Sequence, residues 1–356
     1  MRPFRHVLRY WLNGEATVRV RHLAVGEAIN GVKRRGFVAL AGGAVGGWMT
    51  SAHAQAMPVI GYLGSETQER YASRLEAFRK GLEEAGFVEG RNVAVEYEWA
   101  EGQYNRLPAL AKVLVDRRPA VIVAAGGAQM ALAAKAATTT IPIVFEMGGD
   151  PVALGVVGSL SRPGGNLTGV SSLSVEVSRK RLEFLRDLRP ATPKFAVAIN
   201  PASPTSGAQL QNLQTAAEVL GVQLDVLKAS TEPEFAPMFA AVRGGGAGGL
   251  VFSSDPYFAY RSQQLAALAV RHAVPAITQS RDFPLAGGLM SYGGDFGQSH
   301  RQSGLYAGRI LKGEKPSELA VQRVTRVELF INLRAANDLG IVFPAALLGS
   351  ADRVIE

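Results

Sequence analysis

Small and polar residues follow most of the short apolar runs in this 356-residue chain, at places where side chains could contact a bound molecule. Backbone N–H groups at the start of a helix suit an anion, and carboxylates suit a cation. The residues of these types are the candidate ligand contacts, namely Ser65, Gly126, Gly127, Asp150, Asn200, Asp255 and Tyr292. Together they predict a site for a small amphipathic solute that carries a carboxylate and an amine.

Most of these candidates also have a purely structural explanation. Gly126 and Gly127 could form a tight turn between a strand and a helix. Asp150 and Asp255 are each followed by proline, which is the pattern of a capping residue with proline at the first helical position. Asn200 lies among prolines, as turn-forming residues do. Both explanations stay open at the level of sequence.

Catalytic and metal-binding arrangements are missing from the sequence. With no cysteine, disulfides and thiolate metal sites are excluded. Beyond residue 56 the histidines are His272 and His300, which we expect at the surface or near a helix end rather than as bases or ligands. The chain has neither a G-x-G-x-x-G fingerprint nor a phosphate loop. We therefore expect no enzymatic activity, no cofactor and no metal.

The elements that must position the candidates alternate between short apolar runs and segments of helical period from Pro58 onward. This alternation predicts parallel sheets covered by helices on both faces, in which ligands bind beyond the carboxyl ends of the strands. The cycle of strand and helix runs twice, so we predict an α/β fold with two Rossmann-like lobes. Among the predicted elements are the helices Tyr257–His272 and Phe296–Leu311 and a strand around Val321–Phe330.

The last elements are too few for a third domain, so we predict that they return to the first lobe and then cross back. Lobe 1 then comprises residues 57–171 plus 293–322, and lobe 2 comprises residues 172–292 plus 323–356. The chain would cross three times, near residues 171–173, 291–294 and 323–330. Such a hinge permits rigid-body closure. Tyr292 is the favoured aromatic contact because a crossing would bring it to the cleft.

The first 56 residues differ from the rest in charge. The net charge is +8, and eight of the 38 Lys and Arg residues lie in this segment, so the remainder is nearly neutral and no nucleic-acid partner is expected. Lys33-Arg34-Arg35, the weakly apolar run Phe37–Met49 and the small residues Ala52–Ala56 have the three parts of an export signal. We predict an N-terminal extension over residues 1–56, with the signal over about 33–56.

Export implies a periplasmic location for the mature chain. We expect cleavage after Ala54 or Ala56, and a translation start near Val32. The pair Arg34-Arg35 resembles a twin-arginine signal, while export by the general route stays open. No cysteine is available for a lipid anchor, and no long apolar run predicts a transmembrane helix.

Several segments carry a family likeness: Ile141–Phe145, Asp150–Val152, Arg162–Val170, Ile310–Pro316, Phe330–Leu333 and Pro344–Glu356. They resemble the ABC-transporter substrate-binding protein family that includes tryptophan and aromatic amino-acid binders. The resemblance implies a type I periplasmic binding protein fold, no catalysis, and import of a small-molecule ligand through a partner permease with its ATPase. In the family, positions matching the glycine-rich loop, the aspartates and Asn200 look like ligand contacts. We expect a monomer.

Other classes of protein were weighed against this one. A binding protein that reports to a chemoreceptor or sensor kinase would have the same sequence features, so this alternative stays open. An exported α/β enzyme would need a catalytic cluster, which the sequence lacks. A transcription regulator of the same fold would need a helix-turn-helix at its start, where this chain has an export signal instead.

Overall fold

The computed structural model describes residues 57–172 and 174–356. The predicted export signal lies outside these residues. The strands are β1 Val59–Gly64, β2 Ala94–Trp99, β3 Val121–Ala125, β4 Ile143–Gly148, β5 Leu167–Ser172, β6 Lys194–Ile199, β7 Gln223–Lys228, β8 Leu250–Phe252, β9 Ala276–Thr278, β10 Met290–Gly294, β11 Gln322–Val324, β12 Val327–Asn332 and β13 Arg353–Ile355. The helices are α1 Ala72–Glu84, α2 Leu107–Asp116, α3 Ala128–Ala137, α4 Ser178–Leu188, α5 Ser206–Leu220, α6 Phe235–Gly244, α7 Pro256–Tyr260, α8 Ser262–Arg271, α9 Asp282–Leu285, α10 Phe296–Leu311, α11 Leu333–Asp338 and α12 Ala345–Gly349.

Lobe 1 is built on a six-stranded parallel sheet in the order β11-β5-β4-β3-β1-β2. Its three central strands β1, β3 and β4 are almost entirely buried, because apolar clusters cover both faces of the sheet. Continuous apolar runs are what a parallel sheet buried on both faces requires. The helices α1, α2, α3 and α10 supply the covering layers.

Lobe 2 is built on a seven-stranded sheet in the order β13-β12-β10-β9-β8-β6-β7. It too is covered on both faces by apolar clusters. Its strands are parallel except that β12 runs antiparallel to β10. β10 belongs to the segment that leaves lobe 2, and β12 belongs to the segment that returns to it. The two strands therefore run in opposite directions. The predicted α/β fold with two lobes is confirmed.

The chain passes between the two sheets three times: after β5, after β10, and between β11 and β12. The predicted single strand Val321–Phe330 is wrong, because this segment spans the third passage and divides into β11 and β12 in different sheets. The predicted helix Tyr257–His272 is also divided, with Arg261 between α7 and α8 at φ −101° and ψ 16°. The exact residue boundaries of the lobes stay a prediction.

The backbones of helices α1 and α10 approach each other closely in lobe 1. A Cβ atom added at Gly81 would collide with the carbonyl oxygen of Arg301, and one added at Gly304 would collide with the carbonyl oxygen of Phe78. The two glycines therefore allow the backbones to approach closely. This contact positions the first turns of both helices at the same end of the sheet.

Candidate functional site

A cavity lies where the loops after the strands of both lobes meet, with about 520 Å³ of space between protein atoms, part of it open to solvent. From lobe 1 it is lined by residues after β1 and β3, by the end of β4 and by the starts of α1, α3 and α10. From lobe 2 it is lined by residues after β6, β8 and β9, and Ser174 and Val175 line it from the segment after β5. The polar and charged residues among them are Glu66, Tyr71, Arg74, Gln129, Glu146, Ser174, Ser203, Thr205, Ser254, Gln279 and His300. Its position agrees with the rule that ligands bind beyond the carboxyl ends of parallel strands.

A buried ion pair forms part of the lobe 1 wall. The guanidinium of Arg74, on the first turn of α1, lies 2.6 Å from Glu66 and 3.2 Å from Asp282 of lobe 2. It also lies over the rings of Tyr71 at 4.7 Å and Phe296 at 5.0 Å. Burial raises the pKa of Glu66, and Arg74 opposes that rise. Contacts with both lobes and with two aromatic rings therefore fix the orientation of the Arg74 guanidinium.

His300, on the first turn of α10, is buried beside this ion pair. Its Nδ1 lies 2.8 Å from the carbonyl oxygen of Phe296. A carbonyl oxygen can only accept, so Nδ1 carries the proton and Nε2 is the bare acceptor of the neutral ring. Burial, together with the charge of Arg74, lowers the pKa of His300 to about 3. The expectation of a surface histidine is therefore wrong: the imidazole is 1% exposed and lines the cavity.

Glu146, at the end of β4, organises the glycine loop after β3. Its backbone oxygen accepts from the N–H groups of Gly126 at 3.2 Å and Gly127 at 3.0 Å. Its side chain accepts from the Gly126 N–H and from the hydroxyl of Ser299, both at 3.1 Å. The two glycines line the cavity, but their N–H groups already have partners in Glu146. Burial raises the pKa of the Glu146 carboxyl.

Ser65 lies directly behind this glycine loop. Its hydroxyl is buried and lies 2.7 Å from the hydroxyl of Tyr71. Gly126 has φ +102°, and a Cβ atom there would collide with both of these hydroxyls. Ser65 therefore supports the loop, and it is Tyr71 rather than Ser65 that lines the cavity.

Asp255 is fully buried and joins the two lobes. Its carboxylate accepts from Tyr104 at 2.5 Å and Gln129 at 3.2 Å in lobe 1. In lobe 2 it accepts from Asn200 at 3.1 Å and from the N–H of Tyr257 at 2.8 Å, which caps α7. Burial raises the pKa of this carboxyl, and the bonds from its donors oppose the rise. The capping role is present, but the carboxylate also connects opposite sides of the cleft.

Two further candidates lie elsewhere. Asp150 is exposed and accepts from the N–H groups of Val152 at 2.8 Å and Ala153 at 3.2 Å, which is a local cap, and it does not line the cavity. Tyr292 packs edge-on against Phe184 at 5.1 Å beside the apolar core of lobe 2. The structure thus places Gly126 and Gly127 in the cavity wall, whereas Asn200 and Asp255 lie behind the wall, where Asp255 bonds to the lining residue Gln129. Asp150 and Tyr292 lie outside the wall.

A buried arginine lies behind the lobe 2 wall. Arg181 is 0% exposed, and its guanidinium donates to the backbone oxygens of Tyr292 at 2.8 Å, Phe252 at 3.3 Å and Ser174 at 2.6 Å, and to the hydroxyl of Ser254 at 2.7 Å. Burial lowers its pKa to about 9. Ser174 and Ser254 line the cavity, so Arg181 supports that wall from within the lobe.

The described residues contain no group of three His, Asp or Glu side chains placed to hold a metal ion. Across the same ranges no helix is both long and apolar enough to cross a membrane. The residues that line the cavity without having been predicted are chiefly Glu66, Arg74, Glu146 and His300. For Glu66 the position directly after Ser65 was an available signal, since it also follows a strand end.

Three similar proteins share this architecture. A tyrosine-binding protein of Clostridioides difficile (strain R20291) is 26% identical over 258 residues, which cover 72% of this chain and 73% of that protein. A conserved domain protein of Vibrio cholerae is 26% identical with a TM-score of 0.77. The ABC domain from Streptococcus pneumonia in complex with L-Trp is 22% identical with a TM-score of 0.77. Both structures cover 84% of this chain and 99% of their own.

Type I periplasmic binding proteins are among the structures that match the fold, so the predicted fold type is confirmed. Residues 68–355 match the family model described as ABC transporter substrate binding protein. This family consists of solute-binding proteins rather than enzymes. The chain belongs to the ABC transporter substrate binding protein family.

Proposed function

We propose that this chain is the periplasmic binding component of an ABC importer and that it takes an amino acid in the cleft between its lobes. The observation that carries the proposal is the cavity itself, which combines carboxylates, an arginine, aromatic rings and hydroxyls from both lobes. Amino acids need this mixture of acceptors, donors and apolar surface. The names of two similar proteins, a tyrosine binder and a complex with L-Trp, support an amino acid with an aromatic side chain.

The bonds across the cleft support a mechanism in which the lobes close on the ligand. Asp255 of lobe 2 accepts from Tyr104 and Gln129 of lobe 1, and Arg74 of lobe 1 pairs with Asp282 of lobe 2. These bonds exist only while the lobes are together. A ligand that contacts both lobes then favours the closed population.

Delivery completes the proposal. We infer that the export signal is removed near Ala54 or Ala56, and that the mature chain works as a monomer with a membrane permease and its ATPase. A mature chain that begins at Gln55 or Met57 in the periplasmic fraction, measured by mass spectrometry, is the expected product. Lysine in place of Arg34 and Arg35 would block export by the twin-arginine route and leave the general route intact.

Calorimetric titration of the mature protein tests the proposed ligand class. We expect L-tyrosine or L-tryptophan to bind and to raise the melting temperature, because binding to the folded state alone stabilises it. L-aspartate and L-lysine are the matched controls, since they share the backbone groups but carry a charged side chain. If none of the four binds, or if the charged pair binds as tightly as the aromatic pair, the proposed ligand class is wrong.

A further inference from the structure

Two polar atoms in the lobe 1 wall are buried without a hydrogen-bond partner among the described residues. They are Oε2 of Glu66 and Nε2 of His300, and each residue is 1% exposed. Both residues line the cavity. Buried polar atoms in folded proteins nearly always have a partner, and leaving one without a partner costs free energy. Each of these atoms therefore indicates where a group from a ligand belongs.

The other buried polar atoms that lack a partner in the described part of the chain lie away from the cavity wall. They belong to Tyr62, Trp99, Ser178, Ser253 and Tyr257. Among the described residues, Glu66 and His300 alone both line the cavity and have a buried side-chain atom without a partner. In this respect Glu66 and His300 differ from the other buried polar groups that lack a hydrogen-bond partner.

Both atoms are hydrogen-bond acceptors. The Oε1 atom of Glu66 is already bonded to Arg74, which leaves Oε2 with its lone pairs free. The Nδ1 atom of His300 must donate to the carbonyl oxygen of Phe296, so Nε2 of the neutral ring presents a lone pair. A single group that bonds to both atoms must therefore be a donor with at least two N–H or O–H bonds.

The charged residues in the cavity wall indicate whether this donor is neutral or cationic. Among the residues that line the cavity, the carboxylates are Glu66 and Glu146, and the cation is Arg74. Arg74 also pairs with Asp282, so it does not neutralise both carboxylates. A cationic donor offsets the remaining negative charge, whereas a hydroxyl does not. An ammonium group provides three donors and one positive charge.

We propose that Glu66 and His300 together receive the ammonium group of the ligand, so that the cavity selects molecules with a primary amine. The inference rests on the proposed function of the cleft as an amino-acid site. It also gives the ligand an orientation, with its amine on the lobe 1 wall near α1 and α10. The carboxylate then points towards the lobe 2 wall, which Ser174 and Ser254 line and behind which lies the charge of Arg181.

A pair of probes that differ only in the amine tests this assignment on the unmodified mature protein. The probes are L-tyrosine and 3-(4-hydroxyphenyl)propanoate, its analogue without the amine, or L-tryptophan and indole-3-propanoate if tyrosine does not bind. Loss of a buried partner to a charged group should weaken binding by about 100-fold. Equal affinity for the two probes of a pair overturns the proposal. Binding of none of the four contradicts the proposed function instead.

Two variants then assign the amine to its partners. Glu66→Gln and His300→Phe should each weaken L-tyrosine binding by roughly 10-fold or more, and change the affinity of the analogue by less than about 3-fold. Glu146→Gln is the matched control, because both oxygens of this buried carboxylate already accept from protein donors. It should weaken the preference for the amine by less than Glu66→Gln does, because it removes a charge from the cavity but no acceptor that lacks a partner.

The comparison of probes separates a ligand contact from a structural role. A variant that merely distorts the cavity weakens both probes equally, and that result for Glu66→Gln and His300→Phe would count against the proposal. If Glu66→Gln does not fold, as its melting curve would show, His300→Phe and the unmodified protein still decide the matter. A selective loss in Glu146→Gln alone would move the ammonium to Glu146.

Discussion

His300 is held neutral by its surroundings although a histidine ordinarily gains its proton near pH 6.5. Burial removes water from the ring, and the positive charge of Arg74 disfavours a second cation nearby. The Tyr71 ring covers one side of the imidazole, with 5.5 Å between centroids. At neutral pH the ring is therefore an acceptor and not a cation.

This shift predicts that His300 makes the folded state acid-sensitive. The unfolded chain binds a proton at this residue below about pH 6.5, whereas the folded chain does so only near pH 3. The free energy of unfolding should therefore fall as the pH is lowered through this interval, by up to a few kcal/mol, about 1.4 per pKa unit. Urea unfolding of the unmodified protein and of His300→Phe, measured from pH 7 to pH 4, reports the difference.

The comparison with the variant is needed because buried carboxyls act in the opposite direction. Burial raises the pKa of Glu66, Glu146 and Asp255, and a raised carboxyl pKa stabilises the folded state as the pH falls. These contributions are shared by both proteins and largely cancel in the difference. Parallel pH profiles for the two proteins would show that His300 does not titrate as described.

At this scale the sequence predicted part of the site. The rule for strand ends pointed to Gly126 and Gly127, which line the cavity, and to Asn200 and Asp255, which bond to each other behind its wall; their contact with a ligand stays a prediction. It could not find Arg74 and His300, which lie on helices and reach the cavity only through the packing of those helices. It also could not show that Tyr292 packs against Phe184 beside the lobe 2 core, since that depends on which face of β10 meets α4.

The contact between α1 and α10 is the element that assembles the lobe 1 wall. Arg74 and Tyr71 lie at the start of α1, and Phe296 and His300 at the start of α10. The bounds of α10, Phe296–Leu311, were predicted correctly. The close approach of the helices was not, because glycine inside a helix has several explanations that only the partner helix distinguishes.

We expect Gly304→Ala to show how tightly this contact is packed. The new methyl group would collide with the backbone oxygen of Phe78, which cannot move away without shifting α1. Overpacking of this kind costs about 1–3 kcal/mol of stability, more than alanine gains as a better helix former. Chemical denaturation measures the change. Gly207→Ala, where a Cβ atom meets nothing within 4 Å, is the matched control on α5 and should not be destabilised.

A loss of less than about 0.5 kcal/mol in Gly304→Ala would mean that the helices can separate at little cost. In that case the positions of Arg74 and His300 would not depend on this contact. A loss of stability accompanied by weaker ligand binding would instead show that the contact holds both residues in place.

Across the whole molecule, the bonds to Asp255 join the two lobes, and in the proposed closing mechanism they stabilise the closed arrangement. The hydroxyl of Tyr104 is the lobe 1 donor with the shortest bond to this carboxylate, at 2.5 Å. Two lobes and three passages were predictable from the repetition of strands and helices. This bond was not, because it joins loops separated by 151 residues whose meeting depends on how the lobes face each other.

Tyr104→Phe should shift the ligand-free protein towards the open arrangement. It removes the bond to Asp255, a contribution of about 0.5–1.5 kcal/mol, so ligand affinity should fall by roughly 2- to 10-fold. The N–H of Tyr257, which also contacts the Tyr104 hydroxyl, keeps its bond to Asp255. Small-angle scattering without ligand should show a larger radius of gyration. Tyr97→Phe is the matched control, because the Tyr97 hydroxyl bonds to Glu89 within lobe 1. A radius unchanged in both variants would show that the bond to Asp255 does not influence closure.

The bonds of Arg181 have a mechanical consequence for the joint between the lobes. One side chain ties Ser174, just after the first passage, and Tyr292, just before the second, to Phe252 and Ser254 inside lobe 2. The lobe 2 ends of two connecting strands are thereby clamped to that lobe as a single stiff body. In the proposed closure of the lobes, we therefore expect bending on the lobe 1 side of this clamp, with the pivot displaced from the middle of the joint.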